Sequence, residues 1–149
     1  QIHPARFIEA LARSAAASET ERARRTPWFD VLSAREATRD AEIQTQAAVV
    51  GELVNPMHFF LRMEALMDDD ATLVADGGDF VATASYILRP RAPLRWLDPG
   101  VFGTLGVGGG FALAAAALRR GRETWILYGD GSSAYTLAEF DTFARHGLA

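Results

Sequence analysis

Residues 124–140 read "TWILYGDGSSAYTLAEF". Five β-forming, mostly apolar residues run into Gly129-Asp130-Gly131, and a helix-forming stretch follows. Thr136-Leu137-Ala138-Glu139 has the spacing of a capping box and predicts the start of the last helix there. Its apolar face would be Leu137, Phe140, Phe143 and Ala144, and Gly147 would end it. A carboxylate between two glycines at a strand end fits two readings. It is a common turn, and it is also a hard oxygen ligand beside backbone N–H groups that favour an anion.

Upstream the same pattern recurs. "TLVADGG" (72–78) is a short apolar run closed by glycines, and "FVATASYIL" reads as a helix. "PLRWLDPG" reads as a short strand and turn. "GFALAAAALRR" is a helix with Arg119 and Arg120 at its C-terminus and Gly121 as its stop. Asn55-Pro56 is a helix opening, a capping side chain followed by proline at the first helical position. Strand and helix thus alternate three times, which predicts an α/β fold: a three-layer parallel sheet with helices on both faces. Ligands of such sheets bind beyond the carboxyl ends of the strands. Three glycine-rich loops leave those ends, at 76–80, 98–110 and 129–134, and glycine lets a backbone approach a ligand closely.

The first 50 residues differ. "HPARFIEALARSAAASETERARR" places Phe7, Ile8, Leu11 and Ala15 on one helical face, followed by a charged tail. "DVLSAREATRDAEIQTQAAV" is a mostly polar second helical stretch with the character of a surface helix or connector. Packing and linkage account for both.

Composition excludes several functions. The 149 residues carry a formal charge of −4, with 15 basic side chains against 19 acidic ones, so no broad basic surface advertises nucleic acid. There is no cysteine, hence no disulfide or thiolate metal site. The apolar run Phe111–Leu118 is too short to span a bilayer, and no signal-peptide pattern opens the chain, so the expected location is cytoplasmic. "GVGGGFA" lacks the third small residue of a dinucleotide fingerprint, and a chain without lysine has no Walker A loop. Ser132 and Ser133 stand in Gly-Asp-Gly-Ser-Ser, which is not a nucleophile elbow. His3, His58 and His146 show no zinc spacing. Magnesium prefers one or two carboxylates plus substrate phosphates, so Asp130 beside a diphosphate makes chemical sense where a lone aspartate does not.

"ILYGDGSSAYTLAEFDTF" resembles the Gly-Asp-Gly segment of thiamine-diphosphate-dependent enzymes, and "GTLGVGGGFALAAA" resembles their G-T-M/L-G segment. The stretch from "VADGGDFV" to "FARHG" is similar throughout to the acetolactate-synthase-like branch that includes 2-hydroxyacyl-CoA lyases. The resemblance implies that residues 1–25 end a central domain, 26–52 form a linker, and 53–149 form the first half of a thiamine-diphosphate-binding domain. It implies thiamine diphosphate and Mg2+ as cofactors. Asp130 matches the family's metal ligand, and Gly129, Gly131 and Ser132 match its diphosphate cradle. Gly103 matches the residue whose carbonyl receives the aminopyrimidine amino group. Leu105 matches the apolar wedge beneath the bent cofactor, and Gly78, Asp79 and Phe80 match the other phosphate-side loop.

The same resemblance implies an enzyme that cleaves or forms C–C bonds next to a carbonyl. A 2-hydroxyacyl-CoA lyase comes first; an acetolactate synthase joining two 2-oxo acids, or a non-catalytic module that kept the fold, are the rivals. It further implies a small-molecule substrate and a homodimer or homotetramer with active sites between subunits. The family's second magnesium ligand, an asparagine, lies some two dozen residues beyond Gly-Asp-Gly, and its activating glutamate lies in an N-terminal domain. A 149-residue chain alone is therefore expected to be inactive. Ser133 departs from the bulkier residue usual at its place.

Overall fold

The computed structural model describes residues 3–14 and 19–148; Ala15 of the first apolar face, and parts of the ranges 1–25 and 53–149, lie outside the described residues. The chain divides into two compact units, residues 1–42 and 43–149. The division falls inside the stretch read as a linker.

In the first unit, helix α1 (Pro4–Ser14) carries Phe7, Ile8 and Leu11, all exposed. Helix α2 (Glu19–Ala47) begins here and reaches into the second unit. The charged tail and the second helical stretch, expected as separate pieces, are one helix that runs through Pro27. Proline removes one i to i−4 bond, and a helix this long retains many others.

In the second unit, helix α3 (Pro56–Leu66) opens as the sequence predicts. The Asn55 side chain accepts the N–H groups of Met57 and His58 at 3.0 and 3.3 Å. Its amide also donates to the carbonyls of Gln46 and Val49, at 2.8 and 3.1 Å, fixing the chain's path into the helix. Then follow β1 (Thr72–Asp76), α4 (Asp79–Ile87), β2 (Trp96–Leu97), a 3-10 turn (Gly100–Phe102), α5 (Gly108–Leu118), β3 (Thr124–Tyr128), α6 (Asp130–Thr136) and α7 (Glu139–His146). The sheet order is β2-β1-β3, all parallel, with Asp76 paired to Tyr128 and Val74 to both Leu97 and Ile126.

Central β1 is buried along its whole length, as a strand covered on both faces must be. Its alternation assigns the layers. Leu73 and Ala75 join Leu127, Phe60, Met63, Ala84 and Ile87 in one core beneath α3 and α4. Thr72, Val74 and Asp76 point the other way, toward α5, whose buried Ala112, Ala115 and Ala116 allow close packing. Helices α6 and α7 lie against α5. Helices therefore cover both faces of a parallel sheet, as expected. At the sheet's amino end Asp70 gathers Arg119, Arg122 (3.1 Å) and Arg95 (3.5 Å), and Arg119 also donates to the Thr72 hydroxyl at 2.7 Å. No described helix is long and apolar enough to cross a membrane.

Two helix starts differ from expectation. Helix α5 begins at Gly108 rather than Gly110, because the Gly108 N–H meets a buried carboxylate. The capping box at Thr136–Glu139 does not form. Helix α6 starts directly at Asp130, Thr136 ends it, and α7 starts at Glu139 with no side-chain cap. The Thr136 hydroxyl is engaged elsewhere, 3.0 Å from the Tyr128 hydroxyl and 3.3 Å from the Gly109 N–H it accepts. Of the apolar face expected for α7, Leu137, Phe140 and Ala144 are exposed and Phe143 is half-buried. Gly147 ends the helix in the left-handed conformation, as predicted.

Candidate functional site

Parallel register brings the carboxyl ends of the three strands to one edge, and with them the three glycine-rich loops. The first loop is Gly77-Gly78, between β1 and α4. The second runs from Asp98 through the 3-10 turn to Val107. Its start is fixed by Asp98, which accepts the Trp96 indole N–H and the Gly100 N–H, both at 2.6 Å. The third is Gly129, between β3 and α6.

Asp76 joins them. It is fully buried at the end of β1, and a buried carboxylate requires hydrogen-bond partners. Oδ2 accepts the N–H groups of Gly108 (2.7 Å) and Gly106 (3.0 Å), and Oδ1 lies 3.1 Å from the same Gly106 nitrogen. The Asp76 carbonyl accepts the Gly129 N–H at 3.0 Å and the buried Ser132 hydroxyl at 2.7 Å. One residue thus ties the second loop through its side chain and the third through its backbone. Backbones meet closely here. Gly77 has φ +145°, and a Cβ on it would stand 3.1 Å from the Gly129 nitrogen.

Asp130 is the reverse case. It is the first residue of α6, exposed, and its carboxylate has no hydrogen-bond or ion-pair partner among the described residues. The carboxylate is not folded back to cap a turn; the helix after Gly129 has no side-chain cap. The N–H groups of Asp130, Gly131 and Ser132 occupy the first turn, where no intrahelical acceptor exists.

The remaining sequence-predicted residues lie on the same edge. Gly78 and Gly103 are exposed, as is Gly131, and a Cβ on any of the three would meet nothing within 4 Å. These positions leave open space at the rim. Gly103 takes φ +57° at the end of the 3-10 turn. Leu105 is 45 % exposed, a large apolar side chain standing out from the loop. Asp79 is exposed at the head of α4. Phe80 is the exception: its ring packs on Phe60 at a centroid distance of 4.8 Å, so only its backbone is left for the rim. Within the second unit His58 lies on α3 and His146 on α7.

The electrostatics are one-sided. Residues 76–80, 98–110 and 129–134, the loops with their flanking strand and helix ends, contain Asp76, Asp79, Asp98 and Asp130 and no arginine, lysine or histidine. Among the described residues no group of three or more acidic or histidine side chains could hold a metal unaided. An anionic ligand here meets no basic side chain within those loops, and a cation held by a single carboxylate needs further oxygen ligands.

The sequence reading missed Asp76 as a site residue, although it named the loop that starts there. The available signal was an aspartate at the end of the apolar run "TLVA", a place where a charge is costly without partners.

The chain is similar to known proteins over the residues that carry the three loops. Residues 76–149 match the family of the thiamine pyrophosphate enzyme, C-terminal TPP binding domain. The chain is 55 % identical over 124 residues to 2-hydroxyacyl-CoA lyase 2 of Xenopus laevis, covering 81 % of this chain and 19 % of that protein. It is 48 % identical over 122 residues to the lyase of the same name from Homo sapiens, again 81 % and 19 %. It is 38 % identical over 125 residues to the acetolactate synthase large subunit IlvG of Mycobacterium tuberculosis, covering 82 % and 22 %. The chain thus spans about a fifth of the length of these relatives. It belongs to the thiamine-diphosphate-dependent enzymes, in the branch of the 2-hydroxyacyl-CoA lyases and acetolactate synthases.

Proposed function

We propose that the edge formed by the three loops binds thiamine diphosphate together with Mg2+, within an enzyme that cleaves 2-hydroxyacyl-CoA. The residues present fit that pair. Open glycine positions leave room for a ligand against the backbone, and the first turn of α6 offers N–H groups to a diphosphate. A rim bearing only carboxylates accepts a diphosphate when a divalent cation comes with it. The observation that carries the reading is Asp130: exposed, unpartnered, and one residue from those N–H groups.

On this reading Asp130 ligates the metal, while the Gly131 and Ser132 N–H groups bind the diphosphate and Gly129 allows its close approach. Gly78, Asp79 and Phe80 contribute backbone from the opposite loop. The Gly103 carbonyl would accept a hydrogen bond from the cofactor's amino group, and Leu105 would offer the cofactor apolar contact. The cofactor, once bound, supplies the carbon nucleophile of the C–C chemistry; the chain supplies geometry and charge. Val101 and Phe102, 99 and 89 % exposed beside this site, form an apolar surface that other parts of the enzyme, in the same or a second subunit, would cover.

The test is Asp130→Asn, which keeps shape and removes charge. Calorimetric titration with thiamine diphosphate and MgCl2, beside a melting curve without them, should show cofactor binding falling far more than stability. Unchanged cofactor affinity would reduce Gly129-Asp130-Gly131 to a turn. Higher identity to the lyases (48–55 %) than to the synthase (38 %) favours the lyase. The complete enzyme should convert a 2-hydroxyacyl-CoA to formyl-CoA and an aldehyde. Acetolactate formed from pyruvate with no acyl-CoA cleavage would move the assignment to the synthase.

A further inference from the structure

We propose that Asp76 is a positioning residue for the cofactor site, setting the second loop (Gly103 to Gly106) at a fixed place relative to the third-loop turn at Gly129–Gly131. The inference rests on the reading of this edge as the thiamine diphosphate site. It adds a residue that never touches the ligand.

The two loops that would hold opposite ends of one ligand come from different strands and are separated by more than twenty residues of chain. Asp76 is bonded to both: its carboxylate takes Gly106 and Gly108, and its carbonyl takes Gly129 and Ser132. A plain cap for α5 would need only the Gly108 bond, since that helix starts there. The Gly106 bond lies outside the helix and holds a residue at φ +90°. Its effect is therefore on the loop carrying Gly103 and Leu105. At the same residue the loop packs closely on α6, where a Cβ on Gly106 would stand 2.5 Å from the Tyr135 Cβ. A ligand gripped at two ends pays less ordering entropy when the ends are already spaced.

The test uses the full-length protein. Asp76→Asn keeps the size of the side chain but turns an N–H2 toward one of the backbone donors. In saturating MgCl2 the dissociation constant for thiamine diphosphate should rise tenfold or more. Met63→Ala, in the core under α3, serves as a control that lowers stability away from the site. It should leave cofactor affinity within about twofold of wild type at an equal or greater loss of melting temperature. Equal weakening in both variants would mean that Asp76 acts only through stability, and would overturn the proposal; so would wild-type affinity in Asp76→Asn.

Amide hydrogen exchange on the cofactor-free wild type gives a reading even if Asp76→Asn does not fold. The Gly106 and Gly108 amides should be protected before any ligand is added, in contrast to Thr104 in the same loop. Exchange of all three at one rate would overturn the proposal. Wild-type protein that binds no thiamine diphosphate, with Gly106 and Gly108 protected, would instead sink the cofactor reading and leave the loop tie standing.

Discussion

Gly108 and Gly110 stand in the same turn of α5, and an alanine at each should change stability in opposite directions. On propensity alone both substitutions stabilise, by about 0.4–1 kcal/mol, because alanine loses less backbone entropy on folding. At Gly110 nothing lies within 4 Å of a new Cβ, so that gain should be seen. At Gly108 the new Cβ would sit 2.7 Å from Tyr128 Cε1 and 3.0 Å from the Asp76 Oδ2. Carbon atoms pack at about 3.5–4.0 Å, so the ring or the helix must shift by about 1 Å. The ring is held: Tyr128 pairs with Asp76 in the sheet, and its hydroxyl lies 3.0 Å from the Thr136 hydroxyl.

Overpacking of that kind costs about 1–3 kcal/mol. Moving Gly108 away also stretches its 2.7 Å bond to a buried carboxylate, in a class worth about 1.5–3 kcal/mol. These terms overlap and outweigh the propensity gain, so Gly108→Ala should lose about 2 kcal/mol net. Urea unfolding with an unchanged m-value reads both variants on one scale. A Gly108→Ala midpoint at or above wild type would refute the close approach of α5 to the sheet. A Gly110→Ala midpoint below wild type would refute the openness of the rim on that side.

Asn55→Ala removes the acceptor for two N–H groups and the donor to two carbonyls, and should cost about 1–2 kcal/mol; urea midpoints unchanged within about 0.3 kcal/mol would show that the cap contributes nothing. Glu123 is held below its ordinary value of 4.5, first by the Trp125 indole N–H and then by the Asp68 N–H. A depressed folded value means a contribution complete above the unfolded value and lost as pH falls through the lower folded one. Glu123→Gln should therefore flatten the acid limb of melting temperature against pH slightly and leave the neutral region's slope alone. A change of slope near neutral pH instead would contradict that assignment.

Periodicity and punctuation made most of the second unit legible. "TLVAD" and "TWILY" are strands, and Asn55-Pro56 opens a helix, because each depends on residues adjacent in sequence. The misread parts depend on distant partners. Thr136 has the spacing of a cap, but its hydroxyl is taken by Tyr128 and Gly109, the second 27 residues away, and the turn tightens into α6 six residues earlier. Gly108 looks like loop until a carboxylate 32 residues upstream is seen to receive its N–H. The two helical pieces expected on either side of Pro27 belong to one long helix. Of the candidate residues, Asp130 and the open glycines were readable as a motif. Asp76 was not, because its role lies in bonds between loops rather than in a pattern along the chain.

Asp76 and Asp130 sit at the ends of neighbouring strands and are used in opposite ways. The buried one must have its oxygens satisfied, and backbone N–H groups from another loop do this. The exposed one heads a helix, where the aligned peptide dipoles favour its charge without consuming its lone pairs. It stays free to meet a cation. Had both been bonded, the edge would be a well-tied turn with nothing to offer a metal. Had both been free, the two loops would lack a common anchor. With Asp79 also exposed nearby and no basic side chain in the three loops, an unaccompanied diphosphate would meet negative charge on both sides. On the proposed reading, the edge would favour a diphosphate that arrives with a divalent cation over the diphosphate alone. Omitting MgCl2 from the cofactor titration should therefore abolish binding in the wild type.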